Sequence, residues 1–191
     1  TFTGVFLATS TDLLSWTRQN GGIAVIAQGG SGSIDENRVA DPMVRVADDG
    51  TFQCWYSAEN SGLVRCYAYA TSTDGAIWTK QGKLFDKPTF AGLNPGEPSA
   101  CKFSGSNYAI TCDSAVVGAT RFISEAFTLD GGTTWRWRGR VLEGSGSGWD
   151  STQVFDSCLI QSGGVDYLFY AGAPTTGATE NMGAQIGVAI A

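Results

Sequence analysis

Apolar and polar residues alternate along this chain over short stretches, as in Thr51-Phe-Gln-Cys-Trp-Tyr-Ser57, and Gly, Asn and Asp interrupt the stretches at close intervals. Alternation with a period of two marks half-buried strands, and no window holds a helical period for long enough to matter. Val, Ile, Phe, Tyr, Trp and Thr fill these runs, as suits side chains packed on a pleated surface. The pattern predicts an all-β chain.

It also repeats. Ala8-Thr-Ser-Thr-Asp12-Leu-Leu-Ser-Trp16, Ala70-Thr-Ser-Thr-Asp74-Gly-Ala-Ile-Trp78 and Ala126-Phe-Thr-Leu-Asp130-Gly-Gly-Thr-Thr-Trp135 share one design, with Ala-to-Ala spacings of 62 and 56 residues. A second pattern lies between them: Asp41-Pro-Met-Val, Glu97-Pro-Ser-Ala and Asp156-Ser-Cys-Leu each open an apolar run. A turn follows each run, and an aromatic (Phe52, Tyr108, Tyr167) stands 11 residues after each acid. Each repeat reads as four short strands: one from the acid, one carrying the aromatic, one running into Ala-x-Ser, and one after the Trp. Self-similarity near 60 residues built of four strands predicts a β-propeller-like array of about three four-stranded blades, with repeats near 8–69, 70–125 and 126–191 in one domain. Three blades are fewer than a closed ring uses, so the chain is expected to be a partial propeller, a fragment, or a ring completed by other chains. Exposed blade edges would then be covered in a homo-oligomer or larger assembly.

Composition narrows the function. With 191 residues, 42% hydrophobic and only 16% charged, the chain can bury a sizeable core and is not of the disordered class. A net charge of −6 leaves no basic footprint for nucleic acid. The apolar runs are too short to span a bilayer. The absence of His removes Ser-His-Asp and Cys-His nucleophile systems and His-ligated metals. The acids Asp48, Asp49, Asp113, Asp166 and Glu180 have no EF-hand spacing, so neither metal nor cofactor is expected. The five Cys contain no C-x-x-C pair. Cys54 and Cys66 flank a turn near Asn60, and Cys101 and Cys112 flank the next hairpin, so cross-strand bridges would form if the register allowed them. The chain opens on Thr1 and so is expected to be processed or part of something longer; a secretory signal, once removed, would no longer be visible.

Asp41, Glu97 and Asp156 are the candidates for chemistry. In a propeller the first strand of each blade lines the central axis, so acids in repeat register are expected to point into one funnel. Carboxylates brought together repel and push one pKa upward, which yields the ionised and protonated pair that glycoside hydrolysis uses. The plainer alternative is that each acid starts a strand and satisfies turn amides. The loops ahead of these strands (28–38, 87–94 and 143–150) would form the funnel mouth. Asn37, Arg38, Trp149 and Asp150 are the candidate sugar-binding residues there, the ring for apolar sugar faces and the polar groups for hydroxyls. Asp12, Asp74 and Asp130 are expected to cap tight turns, and Trp16, Trp55, Trp78, Trp135 and Trp137 mainly to pack.

Thr128-Leu-Asp130-Gly-Gly-Thr-Thr-Trp135 fits the Asp-box of sialidases and many other propellers. The whole repeat resembles the five-bladed propeller glycosidases: the arabinanase/β-xylosidase and invertase/fructanase groups and the mannoside phosphorylases. The likeness rests on Asp41-Pro42-Met-Val44, Tyr56, Ala70-Thr-Ser72-Thr-Asp74-Gly75 and Trp78, then Gly148-Trp-Asp150 before Val154-Phe-Asp156, and Tyr167-Leu-Phe-Tyr-Ala-Gly172 before Ile186-Gly-Val-Ala189. The resemblance implies Asp41 as base or nucleophile, Glu97 as general acid and Asp156 as the third, modulating carboxylate. The order Asp, Glu, Asp departs from the usual Asp, Asp, Glu. Three functions follow as expectations. The first is a carbohydrate-recognising glycosidase-like module, extracellular, secreted or on a particle surface, with a glycan or oligosaccharide as partner. The second is an active glycoside hydrolase using Asp41, Glu97 and Asp156. The third is a structural or virion-surface assembly subunit.

Overall fold

A computed structural model describes residues 4–86, 93–104, 107–116, 120–130, 134–175 and 184–190. By its contacts the chain divides into two compact units, Thr1–Asp86 and Lys87–Ala191.

The first unit opens with two small sheets, β1 (Gly4–Val5) against β4 (Ile26–Ala27) and β2 (Ala8–Thr9) against β3 (Thr17–Arg18). Then β5 (Arg38–Val46), β6 (Phe52–Glu59), β7 (Arg65–Ser72) and β8 (Thr79–Asp86) form an antiparallel meander in chain order. Residues paired across strands share a face, and here Val39, Ala58 and Cys66, then Tyr56 and Ala68, then Cys54 and Ala70 form successive rows. These rows bury against Val5 and Ile26. Small Ala and Cys side chains in the middle rows give the narrow sheets room to approach. The opposite face carries aromatics: Trp55 against Tyr69 at 5.3 Å and Tyr67 against Phe85 at 5.4 Å between ring centroids.

The second unit repeats the plan. β9 (Leu93–Ser104), β10 (Asn107–Val116), β11 (Arg121–Phe127) and β12 (Arg136–Leu142) form a second four-stranded meander, and β13 (Gln153–Ser162), β14 (Val165–Ala173) and β15 (Gln185–Ile190) a three-stranded one. The two sheets are joined by hydrogen bonds from the Leu159 amide to Ser99 Oγ (2.9 Å) and from Ser157 Oγ to Thr111 Oγ1 (3.0 Å), and by Arg121 over the Phe155 ring. The architecture is the all-β, blade-by-blade one read from the sequence, with two complete four-stranded sheets and a third of three strands among the described residues. Each larger sheet begins on the strand that carries the acid, though these strands start three or four residues before Asp41, Glu97 and Asp156 and not at the acids as expected, and the two complete sheets end on the strand after a Trp. The sequence period (8–69, 70–125, 126–191) therefore runs out of phase with the hydrogen-bonded units.

The Asp–Trp segments are turn devices, joining the third and fourth strands of the two four-stranded sheets and, for Asp12, the two strands β2 and β3. Asp74 Oδ1 accepts the amides of Ala76 and Ile77 (2.8 Å each) and the Ser72 hydroxyl, and Gly75, at φ 74°, supplies the left-handed residue. Asp12 repeats this with Leu14, Ser15 and Ser10, and Asp130 accepts the Thr134 amide and hydroxyl. Asp12 is held at a pKa of about 2, chiefly by the Ser15 and Leu14 amides.

The hairpin disulfide expected between Cys54 and Cys66 does not form. The register sets Cys54 opposite Ala70 and Cys66 opposite Ala58, four positions apart, and Cys54 remains a buried thiol whose pKa burial raises to about 12. Cys101 likewise faces Ala109, not Cys112. No helix among the described residues is long and apolar enough to cross a membrane.

Candidate functional site

The first strand of each larger sheet is interrupted at the same place. In β5 the register steps from Ala40–Ser57 to Met43–Trp55, so Asp41 and Pro42 together oppose Tyr56. In β13 it steps from Phe155–Ala171 to Cys158–Phe169, so Asp156 and Ser157 oppose Tyr170. In β9 it steps from Pro95–Ser114 to Pro98–Cys112, leaving Gly96 and Glu97 against Asp113. These are β-bulges, which re-aim a side chain at the cost of a ladder hydrogen bond. Asp41 and Asp156 both pass through the left-handed region, at φ 54° and 50°. An L-residue there is strained by about 1–2 kcal/mol, and such strain gathers at functional positions. Two independent sheets thus hold the same acid in the same costly conformation. Glu97 lies in the third such bulge by its backbone; its side chain is outside the described residues.

Around Asp41 the end of the sheet is polar. The Arg38 guanidinium donates to both Asp41 carboxylate oxygens (3.1 and 3.3 Å), and its buried Nε meets no hydrogen-bond partner among the described residues. Arg38, Glu59 and Arg65 form one cross-strand row. Glu59 accepts from Asn37 Nδ2 (2.6 Å) and Arg65 Nε (2.8 Å), and the Arg65 hydrogen bond in particular holds its carboxyl below the usual range. Asn37 is also pinned by its amide to the Glu59 carbonyl (2.9 Å). The result is an alternating set of two cations and two anions with one amide, half open to solvent, able to offer both donors and acceptors to a polyhydroxyl ligand.

Around Asp156 the partners are aromatic and small. Trp149 lies in a short 3-10 turn (Gly148–Asp150), its ring stacked on Tyr170 at 5.7 Å and 18°. The ring sits on the sheet only because Gly172 and Gly187 lack a Cβ, which would come within 2.7 Å of it at either position. Asp150 accepts from Ser145 Oγ (2.6 Å) and Tyr170 Oη (2.9 Å), the former chiefly holding its carboxyl below the usual range. Asp156, Cys158, Phe169, Tyr170 and Ile186 line an open cavity of about 420 Å³.

Of the residues picked out by sequence, Asn37, Arg38 and Asp41 form one cluster in the first unit, and Trp149, Asp150 and Asp156 gather about Tyr170 in the second. The loop segment 87–92 and Glu180 lie outside the described residues. Glu59, Arg65 and Asp35 were not foreseen. Asp35, almost fully buried, accepts from Tyr56 Oη (3.2 Å) and pairs with Lys80 Nζ (2.6 Å). Its signal in the sequence is its position, six residues before Asp41 as Asp150 is before Asp156. Among the described residues no group of three His, Cys, Asp or Glu side chains is placed to hold a metal ion.

No family model matches the sequence, and no curated protein matches it. Solved structures do. A family 117 glycoside hydrolase from Zobellia galactanivorans superposes with a TM-score of 0.67 at 18% identity, over 99% of this chain and 58% of that one. The β-1,2-mannobiose phosphorylase of Listeria innocua, in complex with β-1,2-mannobiose, gives 0.67 at 19% identity over 97% and 48%. A Bombyx mori GH32 β-fructofuranosidase gives 0.68 at 13% identity over 93% and 38%. The chain spans about half the length of the structures it matches, or less. Over that length the chain shares the fold of these proteins.

Proposed function

We propose that this chain is a carbohydrate-recognising, glycosidase-like module in which Asp41, Glu97 and Asp156 present carboxylates to the sugar. The observation that carries this is the left-handed backbone of Asp41 and Asp156, repeated in two sheets at matching bulges. Leu13, Asn20 and Leu63 are left-handed as well but stand between strands, whereas Asp41 and Asp156 are the left-handed non-glycine residues within strands among the described residues. Arg38 and Asn37 are the donors to hydroxyls on the Asp41 side. Trp149 is the apolar platform on the Asp156 side, and Asp150 the acceptor beside it. The glycoside hydrolases and the phosphorylase that share the fold support the sugar as ligand class. Hydrolysis is the finer form of the same reading, with Asp41 as base or nucleophile and Glu97 as acid.

A panel of oligosaccharides, screened for binding by calorimetry and for reducing-end release, tests this with the parent and with Asp41→Asn, Glu97→Gln and Asp156→Asn. The expected result is a bound glycan whose affinity falls about tenfold or more in Asp41→Asn while far-UV circular dichroism is unchanged. Turnover, where present, falls by about 100-fold or more in Glu97→Gln. A parent that binds no glycan, or variants that bind as the parent does, overturn the proposal.

A further inference from the structure

The two strained acids share a support that their function would require. Six residues before each stands a second aspartate, Asp35 before Asp41 and Asp150 before Asp156. Each second aspartate makes three matching hydrogen bonds, and Asp35 adds the ion pair to Lys80. Its Oδ2 accepts from the tyrosine opposite the bulge, Tyr56 at 3.2 Å and Tyr170 at 2.9 Å. Its Oδ1 accepts from a serine of its own loop, Ser33 at 3.1 Å and Ser145 at 2.6 Å. Its backbone carbonyl accepts an amide from the loop's start, Gly29 at 3.3 Å and Ser145 at 3.2 Å. The loops are drawn tight enough that a Cβ on Gly29 would lie 2.5 Å from Asp35 Oδ1, and one on Gly144 2.7 Å from the Thr152 carbonyl carbon. The two loops share a seven-residue Gly/Ser pattern closed by an apolar residue and the aspartate, Gly29-Gly-Ser-Gly-Ser-Ile-Asp35 and Gly144-Ser-Gly-Ser-Gly-Trp-Asp150, so the shared wiring belongs to the repeat itself.

We propose that Asp35–Tyr56 and Asp150–Tyr170 are latches that tie each mouth loop to the strand facing the bulge and so position the strained acids Asp41 and Asp156. The physical ground is the cost of letting go. At the first latch release would leave the buried Tyr56 phenol unpaired, which costs more than the bond itself was worth, while the half-buried Asp150–Tyr170 pair would lose the worth of a hydrogen bond to a charged group. A left-handed Asp persists only where its surroundings over-determine it, and the tyrosine directly across the bulge supplies that constraint. In β9 the residue opposite the bulge is Asp113 and not a tyrosine, so the latch is proposed for the other two bulges alone. The latches are positioning devices, and their bearing on sugar recognition rests on the function proposed above.

The test removes only the hydroxyl, with Tyr170→Phe and, separately, Tyr56→Phe in the full chain. Amide hydrogen exchange in Tyr170→Phe is expected to rise about tenfold over residues 143–152 and 156–158, the worth of one hydrogen bond to a charged group, while the distal hairpin around 162–165 keeps parental protection. An NMR titration of the Asp150 carboxyl is expected to show its midpoint rising in the same variant, which a ring that merely packs would not cause. Unchanged exchange, an even rise through the whole sheet, or an unmoved Asp150 midpoint overturns the latch. Tyr56 is fully buried; should Tyr56→Phe fail to fold, Tyr170→Phe and Asp150→Asn decide the matter on the more open copy. For a glycan that the parent binds, affinity should fall in Tyr170→Phe along with the protection. A parent that binds no glycan sinks the proposed function and leaves exchange to decide the latches; a parent that binds through Asp41, with latch variants of parental exchange, sinks the latches alone.

Discussion

Gly187→Ala reads directly on how Trp149 is seated. Gly187 lies in β15, where alanine is ordinarily preferred to glycine by about 0.5–1 kcal/mol, because glycine loses more backbone freedom on folding. Against this, a Cβ at 187 would sit 2.7 Å from Trp149 Cη2, 2.8 Å from Trp149 Cζ2 and 2.8 Å from Tyr170 Cζ. Carbon contacts settle at about 3.5–4.0 Å, so both stacked rings must retreat by roughly 1 Å. Tyr170 is tied to Asp150 and Trp149 is pressed between the loop and the sheet, so the retreat is resisted. Overpacking of this kind costs about 1–3 kcal/mol, which outweighs the entropic gain and leaves a net loss of about 1–2 kcal/mol. Urea denaturation followed by tryptophan fluorescence and circular dichroism measures it. In a Trp149→Ala background the same substitution should cost less than about 0.5 kcal/mol, since the ring that collides is gone and Tyr170 is able to tilt. A Gly187→Ala chain as stable as the parent, or an equal loss in both backgrounds, refutes the seating of Trp149 on the sheet.

Two further predictions concern the first-strand acids and their neighbours. Because Asp156 has φ 50°, Asp156→Gly should leave stability within about 0.5 kcal/mol of the parent, whereas Asp156→Ala should fall about 1 kcal/mol below the glycine variant; equal midpoints for the two in chemical denaturation would remove the strain argument. Glu59 has its carboxyl lowered chiefly by the Arg65 hydrogen bond, so its contribution to stability is fully present above the ordinary glutamate range and is lost as pH falls through the lowered folded value. Glu59→Gln should therefore flatten the acid side of the stability–pH profile, and a profile parallel to the parent's at low pH contradicts the Asn37–Glu59–Arg65 bridge.

Much of the architecture was legible because it depends on short-range pattern. Strand period, turn residues and the near-60-residue repeat are local or self-referential, so the all-β class, the strand order within each sheet and the place of Asp41, Glu97 and Asp156 on first strands could be read directly. The turn roles of Asp12 and Asp74 were legible for the same reason, since an Asx side chain reaches only a few residues along its own chain. The hairpin bridge between Cys54 and Cys66 was misjudged because symmetry about a turn does not fix register; the actual pairing shifts both thiols four positions apart.

What only the tertiary structure decided is how distant segments share hydrogen bonds. That Asp41 and Asp156 are left-handed follows from two residues opposing one in the ladder, a count set by the partner strand and invisible in Asp-Pro or Asp-Ser itself. That Glu59 joins Asn37 to Arg65, and that Asp35 and Asp150 reach Tyr56 and Tyr170 some 20 residues away, depends on register and loop closure acting together. The sequence determined which residues could do chemistry by their type and their place in the repeat. The fold determined which of them are strained, which are paired, and which merely hold the others in place, because those properties belong to contacts between strands and not to any one stretch of chain.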